Sequence, residues 1–125
     1  MPEKGASVRQ ARIAGEINRI VATSLEREHR SHLRGIVSIS AVTVTRDLKT
    51  AKVFYSVFGS PSDTYYDKTY FARHAGRFRH DMAQALTIRT VPELVFEYDT
   101  TVVQAARIEE LIDKINSERA DESNQ

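Results

Sequence analysis

A change of hydrophobic period between Phe71 and Tyr98 constrains this chain more than any other feature. From Phe71 onward Ala75, Phe78, Met82, Ala85 and Leu86 fall within an arc of about 100° on a helical wheel, the width of a core-facing stripe. Arg73, Arg77, His80 and Gln84 fall on the opposite side. A helix with one apolar and one basic face can dock on a sheet while offering cations outward, which points to a polyanionic partner rather than a small ligand. Gly76 interrupts this pattern at mid-helix. There it costs about 1 kcal/mol relative to Ala and marks a kink or close approach, so two half-helices hinged near Gly76 are expected. After Leu86 the period falls to two: Pro92 stops any helix, and Leu94, Phe96 and Tyr98 alternate as in a strand.

The rest of the chain supplies partners for that unit. Ser7 with Gln10 predicts a capping-box helix start, followed by an apolar face of Ile13, Ile17, Ile20, Val21, Ser24 and Leu25 that ends near Glu28. Arg9, Arg12, Arg19 and Arg27 occupy its flanks and back. Residues 36–45 are rich in β-branched side chains, with Val37, Ile39 and Ala41 on one parity and Val42 and Val44 on the other. That slip predicts a bulge or bend around Ala41. Arg46 to Thr50 forms a turn, and Ala51, Val53, Tyr55 and Val57 a second strand antiparallel to the first. Ser60, Pro61 and Asp63 open the central helix as N-cap, first helical residue and first-turn acid. After Tyr98, Thr101 with Gln104 predicts another capped helix, whose stripe is Ala105, Ile108, Leu111, Ile112 and Ile115. The resulting order is α-β-β-α(kink)α-β-α. This is an α+β fold of three strands with helices on one face. A single domain over residues 7–116 is expected, with residues 1–6 frayed and 117–125 a disordered acidic tail.

Composition excludes several classes. At 125 residues and 41% hydrophobic, the chain suffices for one core burying roughly two thirds of its unfolded surface. It contains no cysteine, which removes disulfides, thiolate metal sites and cysteine nucleophiles, as a reducing compartment allows. The polar N-terminal stretch lacks the apolar segment of a signal peptide, and no uncharged run approaches the ~20 residues that span a bilayer. A soluble cytoplasmic protein is expected. Charge is segregated: residues 1–91 hold 15 Lys and Arg against 8 Asp and Glu, a net +7, and residues 92–125 hold 3 against 9, a net −6. The basic body points to nucleic acid or an acidic partner, with the acidic end facing away from phosphate; ordinary solvated helix faces are the alternative that charge counts leave open.

No catalytic constellation is visible. His29-x-x-His32 has a useful spacing but lacks a third ligand in register, and His74 and His80 point apart, so no metal site is expected. Glu109 and Glu110 are helix neighbours that do not face each other. The glycines stand singly and no serine lies in a nucleophile elbow, so neither cofactor nor enzymatic activity is expected. Cations remain. Arg73, Arg77, Arg79 and Arg89, with His74, Gly76 and His80, lie in or beside the central helix, and Arg9 and Arg12 on the first helix form a second basic set. Phosphate needs cations and unstacked RNA bases need aromatic planes. Tyr66 and Tyr70 either supply such planes or pack on the helix start.

These residues resemble those of the ribosome-binding factor A family from Arg9 to about Ile115. The most specific segments are Arg46-Asp47-Leu48 with Ala51-Lys52-Val53, Gly76 to Arg79, and Leu86 through Arg89-Thr90-Val91-Pro92-Glu93-Leu94 to Asp99; Arg107-Ile108 and Leu111 also fit. The resemblance implies a type II KH-like fold without a Gly-x-x-Gly loop but with a helix interrupted at an Ala-x-Gly motif, where His74 stands in place of the alanine. It also implies a factor that binds free, immature small (30S) ribosomal subunits and contacts 16S rRNA. Such a factor assists late rRNA processing, matters at low temperature and is released by a maturation GTPase; a monomer is expected. The alternative reading is a protein-protein adaptor whose basic surface meets an acidic partner.

Overall fold

The computed structural model describes residues 7–123, with the side chains of all but 102–107 and 120–123. Helix α1 spans Val8–Ser24 and continues through a π-helical turn, Leu25–His29, and a 3-10 turn, Arg30–His32. Strands β1 (Ile36–Val44) and β2 (Thr50–Phe58) precede helix α2 (Pro61–Ala85), strand β3 (Glu93–Tyr98) and helix α3 (Thr101–Ser123). The α+β class is as expected.

β2 is central: β1 runs antiparallel on one side of it and β3 parallel on the other. The register of β1 against β2 shifts between Ile39 and Ala41, so Ser40 is the extra residue of a bulge. One added residue reverses side-chain parity. Val37 before the bulge and Val42 and Val44 after it are therefore all buried, despite their opposite numbering parity. The β1–β2 turn closes through Thr45 N–H to the Thr50 carbonyl, 2.9 Å. Leu48 sits in it at φ 62°, left-handed, while Asp47 accepts from Thr45 Oγ1 and Lys49 N–H.

Two of the three helix starts read from the sequence carry their side-chain caps among the described residues. Ser7 Oγ accepts from Gln10 N–H while Gln10 Oε1 accepts from Ser7 N–H, and the Gln10 amide also donates to the Val44 carbonyl, tying α1 to β1. Ser60 and Asp63 make the same reciprocal pair ahead of Pro61. Helices α1 and α2 and the π-helical turn bury Ile13, Ile17, Val21, Leu25, Phe71, Phe78 and Met82 against one face of the sheet. At the centre Phe71 and Phe78 each lie 5.0 Å from the Phe96 ring, and Phe71 lies 4.3 Å from Tyr55.

Two expectations are corrected. The hinge at Gly76 is absent: α2 is one unbroken helix of 25 residues. A Cβ placed on Gly76 would meet nothing within 4 Å, so the glycine meets neither strain nor close approach. Buried Phe71, Phe78 and Met82 on either side hold the helix through a residue of poor propensity. The α-kink-α segment is thus a single α. Secondly, the described side chains of the last helix do not cover the sheet. Ile108, Leu111, Ile112 and Ile115 are each about half exposed, because α1 and α2 already occupy the core face. Ala105 and Gln104 fall among the side chains outside the described ones. Helix α3 runs to Ser123. No Gly or Pro occurs from Thr101 to Ser123 to stop it. Residues 1–6 and 124–125 lie outside the described residues.

Candidate nucleic-acid interface

The outward face of α2 carries the cations, but they are not equivalent. Arg73 is exposed and makes no ion pair among the described residues. Arg77 stands between two carboxylates, its Nε 3.6 Å from Glu28 and 3.7 Å from Asp81. These distances are too long for hydrogen bonds, and the side chain is 59% exposed, so the pair is loose. Arg79 points to the flank. Its Nε donates to the Pro92 carbonyl and its Nη2 to the Val91 carbonyl, both at 3.2 Å, so it fastens the segment entering β3. His80 pairs with Gln84, and Arg89 is exposed in the segment between α2 and β3. Arg9 and Arg12 lie exposed on α1, on a different element from the α2 set. Gly76 contributes exposed backbone only.

His74 belongs to a stack. Its ring lies 4.0 Å from that of Tyr70, nearly parallel, and its Nδ1 contacts the Tyr70 carbonyl at 2.9 Å. The His32 ring lies 6.1 Å from Tyr70 and also nearly parallel, while the Tyr70 hydroxyl meets His29 Nδ1 at 2.6 Å. Tyr70 is therefore a packed ring, the second of the two roles left open for it. Tyr66 holds the Arg34 guanidinium 4.0 Å over its ring. Burial pushes the Tyr70 phenol above its ordinary value.

Residues without an assigned role in the sequence reading complete this surface. His29 is buried, stacked 3.9 Å from Phe78, and burial pulls its imidazole below the ordinary value, against the opposing pull of Asp81. Its signal was available: His29 extends the four-residue spacing of Ile13, Ile17, Val21 and Leu25 by one step. Asp81 joins α2 to α1 by accepting from Ser24 Oγ at 3.0 Å. It lines a groove of about 330 Å³ with Arg19, Thr23, Arg27 and Gln84. Pairings across such sequence separations leave no local trace.

Among the described residues no helix is long and apolar enough to cross a membrane. The family model for ribosome-binding factor A matches residues 9–112. The chain belongs to the ribosome-binding factor A family. Its relatives include the ribosome-binding factor A of Coxiella burnetii, 37% identical over 118 residues that cover 94% of this chain and 98% of that one. The protein of the same name from Desulforamulus reducens is 35% identical over 114 residues, 91% of this chain and 95% of that one. In fold it is similar to the crystal structure of ribosome-binding factor A from Thermus thermophilus, with TM-score 0.58 at 16% identity, covering 71% of this chain and 94% of that one. A Thermus thermophilus model fitted into the cryo-EM map of a 30S complex of that factor superposes with TM-score 0.56 at 17% identity, covering 69% of this chain and 90% of that one.

Proposed function

We propose that this chain is a cytoplasmic, monomeric, RNA-binding ribosome assembly factor. It binds free immature 30S subunits through 16S rRNA and assists late rRNA processing and subunit maturation, with its greatest importance at low temperature and with release by a maturation GTPase. The observation that carries this reading is family membership along residues 9–112, in relatives named for ribosome binding. The geometry supports an RNA face made by the exposed side of α2. Arg73, Arg77, His80 and Arg89 are its phosphate contacts, and Arg9 and Arg12 on α1 form a second basic set. Arg79 and His74, engaged with carbonyls and with Tyr70, keep the shape of that surface. The chain acts by binding, without catalysis or cofactor. A basic face of this kind gains affinity by releasing counterions from phosphate, so binding weakens steeply with salt.

The test is a sucrose-gradient profile of the tagged protein in lysate. Co-migration with free small subunits and absence from mature ribosomes is the expected result. A protein that stays at the top of the gradient at low salt, or that binds an acidic protein and ignores small subunits, would reject an assembly factor in favour of an adaptor.

A further inference from the structure

Beside Arg77 the π-helical turn and α2 bring together Glu28, His29 and Asp81. Each offers a ligand atom, and the three atoms lie within 4.8 Å of one another. His29 is only 3% exposed. Its Nδ1 is taken by the Tyr70 hydroxyl at 2.6 Å, and its Nε2 has no hydrogen-bond partner. A buried, unpaired ring nitrogen is costly unless something occupies it.

We propose that Glu28, His29 and Asp81 form a binding site for one divalent transition-metal ion of the zinc type. One imidazole and two carboxylates suit a borderline cation, and no thiolate is needed. The support around the ligands has the form such sites require. Coordination through Nε2 requires the tautomer whose Nδ1–H donates to the Tyr70 hydroxyl, and that 2.6 Å contact holds the ring in place. Asp81 is oriented by Ser24 Oγ at 3.0 Å. Tetrahedral ligands about 2.1 Å from a metal stand roughly 3.4 Å apart, so the trio has to contract. Glu28, whose side chain is 45% exposed, has the freedom to do so. The present counter-cation of the two carboxylates is the Arg77 guanidinium, held loosely at 3.6 and 3.7 Å. Metal and Arg77 compete for the same oxygens. Three protein ligands leave a further coordination position for water. A bound ion would pin the π-helical turn to α2 independently of any RNA.

The experiment is calorimetric titration of chelator-treated full-length chain with Zn²⁺, with Co²⁺ as a spectroscopic probe and thermal unfolding with and without metal. One equivalent per chain should bind, and the unfolding midpoint should rise by several degrees at saturating metal. Glu28→Gln, on an exposed side chain that cannot threaten folding, should weaken binding by about tenfold or more, as should His29→Gln and Asp81→Asn where they fold. Arg77→Met should tighten binding, because it removes the competing cation. The inference is overturned if no saturable binding occurs, if binding survives Glu28→Gln unchanged, or if it is lost with His32→Gln or His74→Gln instead, which would place the ion on the two histidines beside Tyr70.

Discussion

Arg79 reaches from α2 to the carbonyl of Pro92, 3.2 Å away, and with a second donor to that of Val91. One basic residue of the surface thus serves the fold, clamping the chain where it leaves the helix and enters β3. Arg79→Ala should lower stability by roughly 1 kcal/mol, since a charged donor to carbonyls is worth more than a neutral one but this side chain is exposed. Arg73→Ala, which removes no such bond, should leave the midpoint in urea within about 0.5 kcal/mol of the parent. Equal midpoints for the two variants would mean that the clamp contributes nothing.

Gly76 makes a prediction of opposite sign. It lies inside an unbroken helix, in open space, with no φ in the left-handed region. Gly76→Ala should therefore stabilise by about 1 kcal/mol, through helix propensity and the smaller entropy of the unfolded chain. A destabilised alanine variant would restore the hinge that the sequence pattern implied.

Much of the architecture is written locally. Ser7 with Gln10 and Ser60 with Asp63 announce their helices through bonds three residues apart, and the parity slip near Ala41 announces a bulge because pleating has period two. Gly76 misled because a glycine reports its low propensity, not whether the space beside it is empty. Helix α3 was misread for a related reason: a stripe such as Ile108, Leu111, Ile112 and Ile115 shows that a face is apolar without showing that something covers it. At the surface, the roles of Arg77 and Arg79 depend on Glu28 and on the Val91 and Pro92 carbonyls, which only the folded chain brings near.

Tyr55 gives a pH prediction. Its phenol is pushed up to about 12 from 10.0, first by burial and then by the nearby Asp67 carboxylate. At pH 10 to 12 the unfolded chain gives up that proton while the folded chain keeps it, so the unfolded state gains the ionised form. The associated stability is whole below pH 10 and is lost as pH rises toward 12. Tyr55→Phe should show a shallower alkaline decline in urea midpoint. An ultraviolet phenolate titration should find Tyr55 the last tyrosine to ionise in the parent, behind the also raised Tyr70, and that last step missing from the variant; five tyrosines ionising together would refute the assignment.

The decisive functional prediction concerns Arg73 and Arg89. Both are exposed and neither forms an ion pair among the described residues, so Arg73→Glu with Arg89→Glu reverses two charges on the proposed RNA face at little cost in stability. Arg77 is best neutralised, because Glu at that position would set a third carboxylate beside Glu28 and Asp81. The double variant should bind small subunits much more weakly. Its plot of log affinity against log salt should flatten by about 1.4 to 1.8, the loss expected for two phosphate contacts. The control is Glu109→Lys with Glu110→Lys, a charge change of equal size and opposite sign on exposed positions of α3; it should bind as the parent does or slightly better. If the folded arginine variant keeps both affinity and salt slope, phosphate does not meet this face of α2, and Arg9 and Arg12 on α1 become the residues to reverse next.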